Sequence, residues 1–140
     1  MSTLVDAGPL VALIDKGQGE THRQCLAMQG KLSVPLLTSW SCFTEAMYLL
    51  GRGKGWAGQK LLWQFYLVNG GVELYHLSDD EIGRMYELME RYRNVPMDFA
   101  DASLVVIAET TGLKQIFTLD RDFYIYRIHD TETFDVVPLN

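Results

Sequence analysis

Histidine and cysteine are scarce in this chain. Three histidines (His22, His76, His129) and two cysteines (Cys25, Cys42) are scattered without metal-ligand spacing, which excludes a Cys/His zinc site and offers no cysteine–histidine pair for nucleophilic catalysis. The cysteines sit in half-apolar, helical surroundings, where reduced structural thiols in a cytoplasmic protein are expected rather than a disulfide. Long hydrophobic runs are missing too. None approaches the roughly 18 residues of a membrane span, and the N-terminal segment enters a strand without a basic region or cleavage pattern, so neither membrane anchor nor export signal is expected. Positive charge is in deficit, with 12 Lys and Arg against 18 Asp and Glu and a net charge of −6, a balance that does not favour a general nucleic-acid binder. What remains is ordinary: 48% apolar and 21% charged residues over 140 positions, enough for a single domain, residues 1–140, with one substantial core.

Acids are present, and their placement is informative. Asp6 closes the apolar run Thr3-Leu4-Val5, and Asp120 closes Gln115-Ile116-Phe117-Thr118-Leu119. Glu45 lies a few residues into the helix after Val34-Pro35-Leu36-Leu37-Thr38, while Asp98 and Asp101 open an almost wholly apolar helix. Removing Asp6, Glu45, Asp98, Asp101, Asp120 and Asp122 leaves 12 acids against 12 bases, so the acidic excess numerically equals this set.

The order of elements reads β-α-α-β-α-α-β-α-α-β with a short last strand. Strands are expected at 2–6, 34–38, 72–76, 115–119 and 135–138, the last at a sheet edge where Pro138 is tolerable. Pro9 suits the first turn of a helix, and a second helix is expected over Glu20–Gln29. Ser39 or Ser41 can cap the helix carrying Glu45, which should end at Gly51–Gly55 before another helix over Ala57–Val68. Ser78 and Glu81 form a capping box for a helix reaching Tyr92. Pro96 breaks the chain before a helix over 98–111 that Gly112 ends. Strands alternating with helices imply a parallel twisted sheet of four to five strands covered on both faces. In such a sheet ligands bind beyond the carboxyl ends of the strands, where these acids would converge. Converging carboxylates raise one another's pKa unless a cation joins them, which points to Mg²⁺ or Mn²⁺.

Each acid also has a plainer explanation. Asp6 can cap the helix that Pro9 opens, Asp98 and Asp101 can complement a helix dipole, and Asp120 and Asp122 suit a turn. Glu45 resists such treatment, because it lies beyond the capping positions and in line with Cys42, Ala46, Leu49 and Leu50, where a carboxylate is costly unless paired or metal-bound. Four acidic strand ends out of four make the joint reading stronger than any single one.

Across essentially its whole length the chain resembles a PIN domain, and more closely the VapC-like toxins of toxin–antitoxin pairs. The matching pieces are Leu4-Val5-Asp6 with Pro9-Leu10, Thr38-Ser39 followed by Glu45, Met97-Asp98-Phe-Ala-Asp101-Ala-Ser-Leu, Thr118-Leu-Asp120 and Asp122-Phe123. The resemblance implies a three-layer PIN-like fold and a Mg²⁺- or Mn²⁺-dependent endoribonuclease. It places the catalytic acids on Asp6, Glu45, Asp101 and Asp120, with Asp98 and Asp122 as further metal-ligand candidates. It also implies an RNA substrate, a homodimer and a cognate antitoxin protein. The alternative is a non-catalytic PIN-like module that binds RNA or protein.

Other signals fail. Gly53-Lys-Gly55-Trp-Ala-Gly58 matches a dinucleotide fingerprint formally but follows a helix rather than a strand, and Gln59 stands where a P-loop needs Lys. Residues 51–58 read as a solvated connector, although Arg52, Lys54 and Lys60 could meet RNA phosphates and Trp56 could stack on a base. Trp40, Trp63, Phe65 and Tyr66 read as core or interface. A receiver domain needs an acidic pair at the first strand, where only Asp6 stands, and a dehalogenase-type phosphatase needs Asp where Gly8 stands.

Overall fold

The computed structural model describes residues 2–139. Five parallel strands form the main sheet: β1 (Thr3–Val5), β2 (Leu36–Ser39), β3 (Val72–Tyr75), β4 (Gln115–Phe117) and, after a small hairpin of β5 (Arg127–Ile128) and β6 (Glu132–Thr133), β7 (Asp135–Val136). Their order is β3-β2-β1-β4-β7. The chain therefore builds outward from β1 in one direction as far as β3, then returns to place β4 on the other side of β1. That reversal opens a crevice at the carboxyl ends of β1 and β4, the place where α/β sheets bind ligands.

Side chains alternate across the sheet. Leu4 and Ile116 face a core closed by α4 (Asp79–Arg91) and α5 (Phe99–Thr111), whereas Val5, Leu36 and Phe117 face α1 (Ala7–Ile14), α2 (Glu20–Gln29) and α3 (Trp40–Leu67). With both faces covered, the central strand β1 is buried throughout.

Helix starts follow their expected chemistry. Ser78 and Glu81 form the capping box of α4. Ser39, not Ser41, caps α3 by accepting from Cys42 N at 3.1 Å. Gly112 ends α5 in the left-handed conformation at φ 78°, which glycine adopts without steric cost.

Three expectations need correction. The break expected at Gly51–Gly55 between two helices is present as a kink in α3 at Gly55 (φ 64°, ψ −153°), a conformation essentially restricted to glycine, but the rest of 51–58 is helical and not a loop. The expected strands 2–6, 34–38 and 115–119 are shorter or shifted, and the residues after β4 turn into a 3-10 segment, Arg121–Tyr124. The hairpin of β5 and β6 was not foreseen; its turn holds His129 and Asp130 at positive φ. Arg84 ties it to the helices by pairing with Glu109 at 3.0 Å and Asp130 at 2.8 Å.

Candidate metal centre

Register brings the first two acids together. Val5 pairs with Phe117, so the next residues, Asp6 and Thr118, stand side by side where β1 and β4 end. Asp6 N donates to Phe117 O at 3.0 Å. The Asp6 carboxylate then has two jobs. It caps α1 by accepting Ala7 N on Oδ1 at 2.8 Å, and it accepts the Thr118 hydroxyl on Oδ2 at 2.8 Å. Thr118 Oγ1 in turn accepts Asp120 N at 3.0 Å, and Asp120 Oδ1 accepts Asp122 N at 2.9 Å. One chain of hydrogen bonds thus runs from β1 to the 3-10 segment.

Asp101 arrives from the opposite layer. Asp98 caps α5 by accepting Asp101 N at 2.7 Å, and Asp101 Oδ2 accepts Asp98 N at 3.2 Å, a reciprocal capping box. The same Oδ2 accepts the hydroxyl of Tyr126 at 3.1 Å. Tyr126 is fully buried and packs edge-on to Phe123 and Tyr92. Oδ2 is thus held twice, while Oδ1 has no hydrogen-bond partner among the described residues.

Asp6, Asp101 and Asp120 each offer a carboxylate oxygen within 4.8 Å of the others. Glu45, Asp98 and Leu119 line the same cavity of about 300 Å³. Asp122 does not line it; its amide serves Asp120 instead. Glu45 differs from its sequence reading. Cys42, Ala46 and Leu50 turn inward, while Glu45 and Leu49 stay exposed at the rim, so Glu45 is a wet carboxylate facing the pocket and not one sunk in an apolar face.

The electrostatics are those of a site short of positive charge. Burial pushes the Asp6 carboxyl above its ordinary value, and the charges of Asp120 and Asp98 add to that, against the bonds from Thr118 and Ala7. Asp101 is raised to about 7, by burial first and by Asp98 and Asp6 after it. Glu45 is raised by partial burial and by Asp6, Asp98 and Asp120. Cys42, whose Sγ lies 3.8 Å from Asp6 Oδ1, is pushed up to about 12 by burial and by Asp6, leaving a protonated thiol beneath the pocket. No Lys or Arg lines the cavity. An all-oxygen donor set on rigid elements fits a hard divalent cation, which would supply the missing charge.

Some residues stand apart from this centre. Ser39 is fully buried and receives the Ser103 hydroxyl at 2.6 Å. His22 lies 2.6 Å from Ala12 O, and Trp40 donates to His76 at 3.3 Å. Trp40, Trp63 and Tyr66 gather edge-on around Phe43 or one another. Arg52, Lys54, Trp56 and Lys60 lie along α3 outside the acidic cavity, with Lys54 beside Asp15 at 3.6 Å. Thr118 belongs to the Thr118-Leu-Asp120 piece that the sequence singles out, whereas Tyr126, which holds Asp101, has no local signature.

Among described residues no helix is long and apolar enough to cross a membrane. No curated protein sequence matches the chain significantly. The family description that does match is the PIN domain, over residues 3–128. Solved structures share the fold at low identity. The VapC20 toxin of Mycobacterium tuberculosis, described as cleaving the sarcin–ricin loop, superposes with a TM-score of 0.77 at 20% identity, covering 86% of this chain and 91% of that one. VapBC2 of Rickettsia felis, bound to a promoter DNA fragment, gives 0.66 at 14% identity over 100% of both chains. A toxin–antitoxin complex from Klebsiella pneumoniae gives 0.64 at 17% identity over 86% and 89%.

Proposed function

The chain belongs to the PIN domain family, and on that premise we propose that it is a Mg²⁺- or Mn²⁺-dependent endoribonuclease acting as the toxin of a toxin–antitoxin pair. The observation that carries this reading is the meeting of Asp6, Asp101 and Asp120 within 4.8 Å, from three separated parts of the chain, in a cavity that among the described residues is lined by no Lys or Arg.

Asp6, Asp101 and Asp120 would hold the ion. Bound there, a divalent cation supplies Lewis acidity for charge on a phosphate oxygen and for a water nucleophile at neutral pH. The protein's part is orientation. Thr118 fixes Asp6 and the Asp120 amide, and Tyr126 with the Asp98 amide fixes Asp101, which holds three carboxylate oxygens within 4.8 Å of one another. Glu45 stands at the rim with its carboxyl raised, placed to take a proton from the attacking water. No Ser, Cys or His nucleophile is required, which agrees with the buried, protonated Cys42 and the distant histidines.

RNA as substrate and a cognate antitoxin are proposed from the family and from the chain's likeness to the VapC20, VapBC2 and Klebsiella structures, and a homodimer from the family alone. The test is cleavage of single-stranded RNA by the purified chain. Mg²⁺ or Mn²⁺ should support cutting and chelator should abolish it. Asp6→Asn and Asp101→Asn should each lower the rate by roughly a hundredfold or more, since several kcal/mol of transition-state stabilisation depend on the ion. Equal rates in both folded variants and the parent would remove the carboxylates from the chemistry.

A further inference from the structure

Two clefts share residues with the acidic cavity and offer an anionic strand whose phosphate sits there a way out. One, about 690 Å³, borders Trp40, Tyr48 and Phe99 and shares Glu45 and Asp98 with the cavity. It contains two carboxylates and no Lys or Arg; Arg52 approaches the Tyr48 ring, 5.8 Å from its centroid, without lining the cleft. The other, about 410 Å³, lies between the end of β4 and the C-terminal segment from Val136 to Leu139, and shares Leu119 and Asp120. This second cleft contains Arg121 and Tyr124.

Both residues are presented rather than engaged. Among the described residues Arg121 makes no ion pair and no side-chain hydrogen bond, as is true of several other bases, but it is the base that lines this cleft. Tyr124 is 62% exposed while its neighbours Phe123 and Tyr126 are fully buried. The backbone that carries Tyr124 is fixed, since Arg127 Nη1 donates to the carbonyls of Tyr124, Ile125 and Tyr126 at 2.9, 2.9 and 3.1 Å. A cation beside an exposed aromatic ring is what an unpaired nucleotide needs: charge for its phosphate and a face for its base.

Resting on the nuclease reading above, we propose that this cleft seats the single-stranded RNA nucleotide next to the scissile phosphodiester, with Arg121 on its phosphate and Tyr124 against its base. The strand then runs over the β4–β7 side of the molecule and avoids Glu45 and Asp98.

The test is fluorescence anisotropy of a short labelled single-stranded RNA, with Ca²⁺ in place of Mg²⁺ to suppress cutting. Arg121→Gln should weaken binding roughly tenfold and flatten the dependence of log affinity on log salt by about one. Tyr124→Ala should also weaken it roughly tenfold, and Tyr124→Phe should restore it. Mn²⁺ affinity, read by calorimetry without RNA, should be unchanged in all three. Parent-like RNA affinity and salt slope in Arg121→Gln and Tyr124→Ala would overturn the proposal, even if the parent cuts RNA. Variant-dependent binding by a parent that never cuts would instead keep the subsite and remove the nuclease.

Discussion

The Thr118 hydroxyl donates to Asp6 Oδ2 at 2.8 Å while accepting the Asp120 amide at 3.0 Å. A single side chain therefore holds the Asp6 carboxylate and the Asp120 backbone, two of the five acids that line the pocket, and the pairing of Val5 with Phe117 puts it there.

Thr118→Val keeps the shape and removes both bonds. The buried Asp6 carboxylate loses a donor, and the Asp120 amide loses its side-chain partner. Stability should fall by about 1–2 kcal/mol, and Mn²⁺ affinity should fall roughly tenfold by loss of orientation. Thr118→Ser should recover most of both. Thermal melting and calorimetry check the two effects separately.

Tyr126→Phe keeps the ring between Phe123 and Tyr92, whose centroids lie 5.1 and 5.2 Å away, and deletes only the hydroxyl on Asp101. The expected cost is about 1 kcal/mol in the metal-free protein. Asp101 gains freedom to present either oxygen, so Mn²⁺ affinity should drop roughly tenfold. An unchanged affinity would make Tyr126 a packing residue.

Without metal, Asp101 is raised from 3.8 to about 7 by its burial and by Asp98. A carboxyl whose folded pKa exceeds its unfolded one contributes stability that is present below about pH 4 and lost as pH rises toward about 7, because the folded state then binds more protons than the unfolded state. Asp15, Glu81 and Asp130 are shifted the other way, so the comparison is the difference between parent and Asp101→Asn. That variant should melt several degrees higher than the metal-free parent near pH 8 and lose this advantage near pH 4. Adding Mg²⁺ or Mn²⁺ near pH 8 should raise the parent's Tm and leave the variant's nearly still.

Gly55 and Gly53 should respond oppositely to alanine. Gly55 has φ 64° and ψ −153°, where a Cβ is strained, so Gly55→Ala should destabilise by about 1–3 kcal/mol. Gly53 lies in helical backbone with open space where a Cβ would project, so Gly53→Ala should stabilise by about 0.5 kcal/mol. Neither residue lines the acidic cavity, and both variants should bind Mn²⁺ as the parent does.

Two strand ends were readable because the runs Thr3–Val5 and Gln115–Leu119 each finish on an acid, and parallel topology then forces those ends to one edge. Hence Asp6 and Asp120 could be placed together from their neighbours alone, and Asp101 from the apolar helix behind it. Glu45 lines the acidic cavity, but its surroundings differ from the sequence reading: a stripe at spacings of three and four spans a wide arc, and Glu45 falls on its exposed margin beside Leu49. Glycines at 51, 53, 55 and 58 look like a connector, yet only the backbone at 55 leaves the helix. The β5–β6 turn uses His129 and Asp130 at positive φ, where no glycine signals it. Tyr126 lies 25 residues from Asp101, and their contact depends on the packing of the hairpin under α5, which no local pattern encodes.

The central claim is that Asp6, Asp101 and Asp120 jointly hold a divalent cation, and calorimetric titration of Mn²⁺ into the RNA-free protein addresses it most directly. The account predicts saturable binding in the parent, and loss of it in a folded protein carrying Asp6→Asn, Asp101→Asn and Asp120→Asn together. A triple variant that binds Mn²⁺ as the parent does would contradict it.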